Sequence, residues 1–132
     1  MKANKNILVL AFLLMISSIS IAQSGFREFV GSWQAVTDDG NVYVLQINVD
    51  NTASMTINGK STGVAAIRID TGTNPANVDF VVNDPATLDQ FTMSGIATAG
   101  QSDNGDFKLM LEYDEGLNRP TEFNSPITFF RQ

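Results

Sequence analysis

Hydrophobic and polar residues alternate along most of the chain after residue 31, which is the pattern of β-strands with one buried face. In 64–70, for example, Ala65, Ile67 and Ile69 share one face. The alternation predicts eight strands: 32–37, 42–49, 52–58, 64–70, 78–83, 91–98, 107–113 and a last strand that carries Ile127 and Phe129. Residues 25–30 predict one short helical turn, and no segment predicts a long helix.

Turn-forming residues separate these strands. The pairs at 39–40, 50–51, 58–59 and 104–105 contain Asn, Asp or Gly, which tolerate the positive φ of tight hairpins. Because nearly every link is short, consecutive strands are expected to pair as an antiparallel meander. A meander of eight strands can close into a barrel or stack as a sandwich. We predict an all-β, eight-stranded antiparallel up-and-down barrel, because short hairpins suit it and closure removes exposed strand edges.

The first 22 residues have the features of a secretory signal peptide. Lys2 and Lys5 precede an apolar stretch at 7–16, and Ser20 and Ala22 are the small residues of a cleavage site. A retained membrane anchor is the alternative, but the stretch is short for the roughly 20 residues that cross a bilayer. We therefore expect residues 1–22 to be removed, residues 23–132 to form one domain, and the mature protein to be periplasmic or extracellular.

Composition excludes several kinds of chemistry. The chain has no cysteine and no histidine, so it has no disulfide, no thiol nucleophile, no imidazole base and no Cys- or His-bound zinc. The Asp-Asn-Gly-Asp run at 103–106 lacks the acidic ligands of an EF-hand and is expected to be a hairpin turn. We predict no metal, no cofactor and no enzymatic activity, although carboxylates, lysines, tyrosines and hydroxyls remain as candidate groups.

The net charge limits the partners. The formal net charge is −6, and it becomes −8 when Lys2 and Lys5 leave with the signal peptide. This charge repels nucleic acid phosphates and anionic lipid headgroups, so neither nucleic acid nor a membrane surface is an expected partner. We expect a monomer, and the sequence names no protein partner.

Residues at both ends of the predicted domain resemble the signature of the lipocalin and calycin superfamily. Gly31-Ser32-Trp33 opens the first strand after the predicted helical turn, and Arg131 lies near the end of the last strand. In that superfamily a Gly-x-Trp on the first strand is covered by a basic residue of the last strand, at the closed end of the barrel. The resemblance implies that Arg131 lies over the Trp33 indole, a cation–π contact of about 0.5–2 kcal/mol.

Segments further along the chain are similar to a bacterial exported lipocalin-like domain family, best known from planctomycete-type proteins and largely uncharacterised in function. The similar segments are 74–80 (Asn-Pro-Ala-Asn-Val-Asp-Phe), 94–96 (Ser-Gly-Ile), 105–109 (Gly-Asp-Phe-Lys-Leu) and 119–123 (Arg-Pro-Thr-Glu-Phe). The chain lacks the cysteine often found on that family's penultimate strand, and Ala97 stands where an aromatic residue commonly follows Gly-Ile. The resemblance implies the fold and export, and it transfers no catalytic residue.

The inward face of the barrel carries the first functional hypothesis. We predict a binding protein for a small apolar or amphipathic molecule, with the mouth opposite the end that holds Trp33 and Arg131. The candidate interior ligand-binding residues are Tyr43, Leu45, Ile57, Ile67, Phe80, Phe91, Met93, Leu109 and Phe129, and Phe107 and Tyr113 are expected on the same face. An eight-stranded barrel is just wide enough to be filled by side chains or to hold one small ligand.

The segment 119–123 has two interpretations. Arg119 and Glu122 are candidate residues of the barrel mouth, where they would contact a polar ligand group. The favoured alternative is structural: Pro120 sets a bend, Phe123 enters the core, and Arg119 pairs with a nearby carboxylate.

The alternative function is a barrel with a solid core that binds or inhibits another protein. The contact would use outward apolar side chains, namely Val42, Val44, Val81, Ile96, Met110 and Phe130. The interior volume decides between the two functions. An enclosed apolar cavity above roughly 300 Å³ favours the small-molecule carrier, and a filled interior favours the protein-binding module.

Overall fold

The computed structural model describes residues 25–114 and 118–132, and the predicted signal peptide at 1–22 lies outside these ranges. A helical turn at 25–27 precedes nine strands. The strands are β1 (Gly31–Val36), β2 (Val42–Ile47), β3 (Ala53–Ile57), β4 (Lys60–Ser61), β5 (Val64–Asp70), β6 (Ala76–Asn83), β7 (Gln90–Gln101), β8 (Phe107–Asp114) and β9 (Ile127–Arg131). Within the described ranges, no helix has the length and hydrophobicity needed to cross a membrane.

All nine strands form one antiparallel sheet in the order β4-β3-β2-β1-β9-β8-β7-β6-β5. The first strand pairs with the last, so that Trp33 is opposite Arg131. Near the two ends of this order, Thr52, which precedes β3, forms an isolated bridge with Ala66 of β5, and the Ile67 amide donates to the carbonyl of Asn51 over 2.9 Å. These contacts bring the sheet close to full closure, and the predicted all-β, barrel-like antiparallel fold is confirmed.

The structure has one strand more than the eight predicted. Asn58 and Gly59 both have positive φ, 53° and 81°, and their tight turn returns the chain antiparallel to β3. The additional strand, β4, consists only of Lys60 and Ser61. Two residues are too few for an alternating pattern to reveal a strand, so the sequence does not predict it.

A β-bulge in β5 changes which of its side chains face inward. The register shifts between Val64 and Ala66, and the extra residue interrupts the alternation. Val64 and Ile67 are buried, whereas Ala65 is partly exposed. The prediction that Ala65 shares the inward face is therefore wrong, because a period of two does not hold across a bulge.

Apolar side chains fill the interior of the barrel. Trp33, Phe80 and Phe129 are completely shielded from solvent and are the largest side chains of the core. Two half-buried tyrosines pack edge-on against this core: Tyr43 lies 6.5 Å from Phe129 and Tyr113 lies 6.1 Å from Phe80, measured between ring centroids. Both distances are within the range of favourable edge-to-face aromatic pairs, so the tyrosine rings extend the core.

Contacts among the helical turn, β1 and β9 close one end of the barrel, which we call the capped end. The Phe29 side chain is buried in the core, and its carbonyl accepts a hydrogen bond from the Trp33 indole nitrogen (2.9 Å). The Arg131 guanidinium carbon lies 4.7 Å from the Trp33 ring centroid, and Nη2 donates to the carbonyls of Glu28 (2.8 Å) and Val30 (3.3 Å). The expected Trp33–Arg131 contact is confirmed, and it joins the last strand to the first and to the turn before it.

We expect Arg131→Gln to lower the free energy of unfolding by about 1–2 kcal/mol, because it removes an exposed cation–π contact and hydrogen bonds from a charged donor. Denaturant unfolding followed by the fluorescence of Trp33, the single tryptophan, measures the change. Lys60→Gln is the matched control, since Lys60 is an exposed cation on β4. Equal stability of the wild type and Arg131→Gln would contradict a stabilising role for the contact.

Candidate functional site

The predicted ligand-binding residues mostly face the interior, but they fill it. Six of the nine are buried: Leu45, Ile67, Phe80, Met93, Leu109 and Phe129. Tyr43 and Ile57 are half-buried, nearer the end opposite the capped end. The space left among the core side chains has a volume of about 10 Å³. That is room for about one water molecule, whereas ligand pockets typically have volumes of about 300–1,000 Å³.

Two phenylalanines that were predicted to face the core are largely exposed. Phe91 is 43% exposed and Phe107 is 44% exposed. Phe91 is the second residue of β7 and Phe107 is the first residue of β8, so both stand at the rims of the barrel. Alternation predicts the side of the sheet to which a residue points but not its depth along the barrel axis, and this explains both errors.

Two open depressions flank the Arg131 side chain at the capped end. One has a volume of about 430 Å³ and is lined by Arg27, Glu28, Gly100, Gln101, Phe107 and Arg131. The other has a volume of about 420 Å³ and is lined by Gly105, Asp106, Phe107, Phe130 and Arg131. The guanidinium between them stacks on two rings: its carbon lies 4.7 Å from the Trp33 ring centroid and 4.8 Å from the Phe107 ring centroid. Its faces are therefore used in contacts within the fold.

The segment before β9 crosses the outer face of the barrel wall. Arg119 Nη1 donates to the carbonyls of Val78 (3.1 Å) and Gly95 (2.8 Å), and Nη2 forms an ion pair with Asp79 (2.7 Å). The Asp79 carboxylate also accepts a hydrogen bond from the Ser94 hydroxyl (3.1 Å). Because Asp79 follows the inward-facing, buried Val78, this ion pair lies outside the barrel. Arg119 is therefore not at the mouth, and the alternative in which it pairs with a carboxylate is confirmed.

A second attachment holds the same segment. Oε1 of Glu112 accepts hydrogen bonds from the backbone amides of Asn124 (2.8 Å) and Ser125 (2.7 Å). Ile96 is opposite Glu112 on the neighbouring strand, and alternation directs its side chain outward, yet it is only 2% exposed. We call residues 118–126 the strap. The prediction that Ile96 is part of an exposed patch is wrong, because the strap covers the wall at this point.

The other residues of segment 119–123 also belong to the strap. Glu122 is exposed between the two attachments, so it too lies along the wall and not at the mouth as predicted. Phe123 is partly buried and is not one of the core residues, which corrects the expectation that it enters the core.

The remaining outward apolar residues do not form one patch. Phe130 is 46% exposed, and the other four are half-buried: Val42, Val44, Val81 and Met110. Val81 lies on β6, which is three strands away from the β9 strand that carries Phe130. The predicted contact surface is thus divided between separate parts of the wall.

Two aspartates in turns have lowered pKa values. The Thr37 hydroxyl and the Asn41 backbone amide donate hydrogen bonds to the Asp39 carboxylate, and these bonds lower the pKa of Asp39. The Thr52 hydroxyl (2.6 Å) and backbone amide (3.0 Å) donate hydrogen bonds to the Asp50 carboxylate and lower the pKa of Asp50 in the same way. Both carboxylates are exposed, and their turn geometry explains the shifts. In the part of the chain that the structure describes, no cluster of three or more potential metal ligands is present.

Comparisons with protein-family models, with curated proteins and with solved structures found no match to this chain. None of them bears on the resemblance to lipocalin-like proteins. A functional proposal therefore rests on the fold and on the contacts described above.

We expect Arg119→Met to lower the free energy of unfolding by about 1–2 kcal/mol, because it removes a half-exposed ion pair and two hydrogen bonds from a charged donor. It should also speed hydrogen exchange at the backbone amides of Asn124 and Ser125, since the strap loses one of its two attachments. Arg68→Met is the control, because Arg68 is opposite Asp79 on β5 but is exposed. Unchanged exchange in Arg119→Met would show that Arg119 does not hold the strap.

We expect Thr37→Val to raise the pKa of Asp39 towards 3.8, its ordinary value, because the largest cause of the lowered pKa is the Thr37 hydroxyl. Titration of the side-chain carboxyl resonances by NMR measures both aspartates in one sample. Asp50 is the internal control, since its hydrogen-bond partner Thr52 is unchanged.

The same titration has a consequence for stability. The folded-state pKa of Asp39 lies below its unfolded value, so the ionised carboxylate favours the folded state above the unfolded pKa, and this contribution is lost as the pH falls through the folded pKa. Thr37→Val should therefore lose less stability on acidification than the wild type. An unmoved pKa of Asp39 in the variant would contradict the assignment.

Proposed function

We propose that this chain is an exported, lipocalin-like barrel that binds another protein through its surface and does not carry a small molecule in its interior. The observation that supports the proposal is the filled core, in which about 10 Å³ of empty space remains. The proposal assigns no catalytic residue and no cofactor to the chain.

The energetics of the core support a solid barrel. Empty space in a protein core costs about 24 cal/mol per Å³, so a ligand-sized space of roughly 300 Å³ would cost about 7 kcal/mol. This is comparable with the whole folding stability of a typical domain, about 5–15 kcal/mol. A ligand would have to compensate that cost in addition to its own loss of freedom on binding.

The capped end supports the lipocalin-like part of the proposal. Trp33 and Arg131 are opposite each other on the first and last strands, and the guanidinium stacks on the indole 4.7 Å away. The amino-terminal pattern of two lysines, an apolar stretch and small residues supports export.

The surface supports contact with a protein. Six large apolar side chains are exposed: Val36, Val49, Leu88, Phe91, Phe107 and Phe130. The formal net charge of −6 disfavours nucleic acid and anionic membranes, which leaves proteins as the macromolecules that such side chains contact.

We expect the wild-type barrel to bind no apolar probe, because the described core side chains leave a space of only about 10 Å³. Benzene should leave its melting temperature unchanged, and native mass spectrometry of the exported protein should show the mass of the chain alone. Leu109→Ala is the positive control, since it removes a buried side chain and leaves a cavity into which benzene fits, so benzene should raise its melting temperature.

Leu45→Ala tests the same point at another buried leucine, in case Leu109→Ala does not fold. A small molecule that copurifies with the wild type, or a rise in its melting temperature with benzene, would contradict the proposal and favour the carrier.

A further inference from the structure

Leu88 combines an exposed apolar side chain with an unfavourable backbone conformation. Its side chain is 85% exposed, and its φ is 63°, in the left-handed region. The other non-glycine residues with positive φ in the described ranges are Asn51 and Asn58, and asparagine tolerates that region. Leucine has no such tolerance, so position 88 bears both backbone strain and an apolar surface in water.

Hydrogen bonds fix this conformation in the loop 84–89, which joins β6 to β7. The Leu88 amide donates to the Asp84 carbonyl (2.8 Å), and the Asp84 amide donates to the Asp89 carbonyl (2.8 Å). The Asp84 carboxylate also accepts a hydrogen bond from the Ala86 amide (2.8 Å). The loop is therefore held in one shape, and Leu88 projects from a pre-organised support, which reduces the entropy lost on binding.

The other exposed apolar residues do not combine exposure with an unfavourable backbone conformation. Phe107 stacks on Arg131 at the capped end. Val36, Phe91 and Phe130 belong to strands, and Val49 lies in the turn between β2 and β3 with an ordinary backbone. Of the six, only Leu88 has a positive φ, and strain that persists in a fixed loop is typical of residues with a function.

The charges around Leu88 indicate the chemistry of its partner. Asp84 and Asp89 belong to the same loop as Leu88. The loop 84–89 contains no basic residue. Acidic side chains beside an apolar projection are complementary to an apolar pocket with a basic rim, and they repel a second copy of the same loop.

We propose that Leu88 is an anchor that inserts into an apolar pocket with a basic rim on another protein. The proposal rests on the protein-binding function proposed above and specifies the surface and the partner chemistry. Sequence reasoning did not select Leu88, although a leucine between Thr87 and Asp89 in a polar turn is a detectable irregularity.

Cross-linking tests the proposal while the partner is still unidentified. A photo-reactive benzophenone amino acid is placed at position 88, at position 130, or at position 49, where Val49 is 73% exposed at the opposite end. Each protein is irradiated with the exported proteins of the source cells. We expect an adduct at position 88 and none at position 49. Excess wild-type protein should lower the yield of the adduct by competition, and high salt should also lower it.

Substitutions at position 88 separate binding from stability. As a competitor for the adduct at position 88, Leu88→Asn should be about 10- to 100-fold weaker than the wild type. This is the effect of losing one buried apolar side chain. Its melting temperature should be unchanged or raised, because asparagine tolerates the left-handed backbone. Leu88→Met keeps an apolar side chain and should compete nearly as well as the wild type. Mapping the adduct should identify apolar residues beside lysine or arginine in the partner.

Several outcomes would overturn the proposal. If Leu88→Asn suppressed the adduct as well as the wild type does, Leu88 would not be the anchor. The same would hold if adducts that the wild type suppresses formed at position 130 or 49 but not at 88. In both cases the protein-binding function would stand. A lowered melting temperature of Leu88→Asn would mean that Leu88 stabilises its own fold. No competed adduct at any of the three positions would overturn both proposals. Binding of phosphatidylcholine vesicles that Leu88→Asn abolishes would assign Leu88 to a membrane instead.

Discussion

The fold depends on the pairing of its first strand with its last. Every other strand pair, β3 with β5 apart, joins neighbours along the chain and can form locally, but β1 and β9 are separated by most of the domain. Ordering such a distant pair costs loop entropy, so the pairing needs strong contacts. Arg131 provides them by stacking on Trp33 and by donating to the carbonyls of the preceding turn. One side chain thus contacts all three elements, in addition to the backbone pairing of β1 with β9.

Large inward residues leave little free space inside the narrow barrel. Trp33, Phe80 and Phe129 are each completely shielded from solvent, and the space among the described core side chains has a volume of about 10 Å³. Gly95 contributes to this compactness, because a Cβ at this position would lie 2.5 Å from the Glu112 carbonyl oxygen. The close approach of β7 to β8 therefore requires glycine, and the carbonyl of the same residue accepts the hydrogen bond from Arg119 that holds the strap.

The parts of the surface have different roles. The capped end and the strapped wall use their charged side chains in internal contacts, where Arg131 and Arg119 bind backbone carbonyls. The opposite end carries acidic turns and Leu88, whose side chain is 85% exposed. The contacts that stabilise the fold thus lie at the capped end and along the strapped wall, and the proposed binding surface lies at the opposite end.

The sequence by itself determined eight of the nine strands and their antiparallel pairing, because alternation and turn residues are local signals. The Trp33–Arg131 contact was implied by the resemblance to lipocalins, and the structure confirms it. Only the tertiary structure decided the rest. The bulge at Val64 and Ala66 shifted a register, the strap buried Ile96, and the rim position exposed Phe91. Burial of these residues depends on segments distant in sequence and on depth along the axis, and a period of two reports neither. The cavity volume and the φ of Leu88 are likewise properties of the packed chain, so they became visible only when the barrel closed.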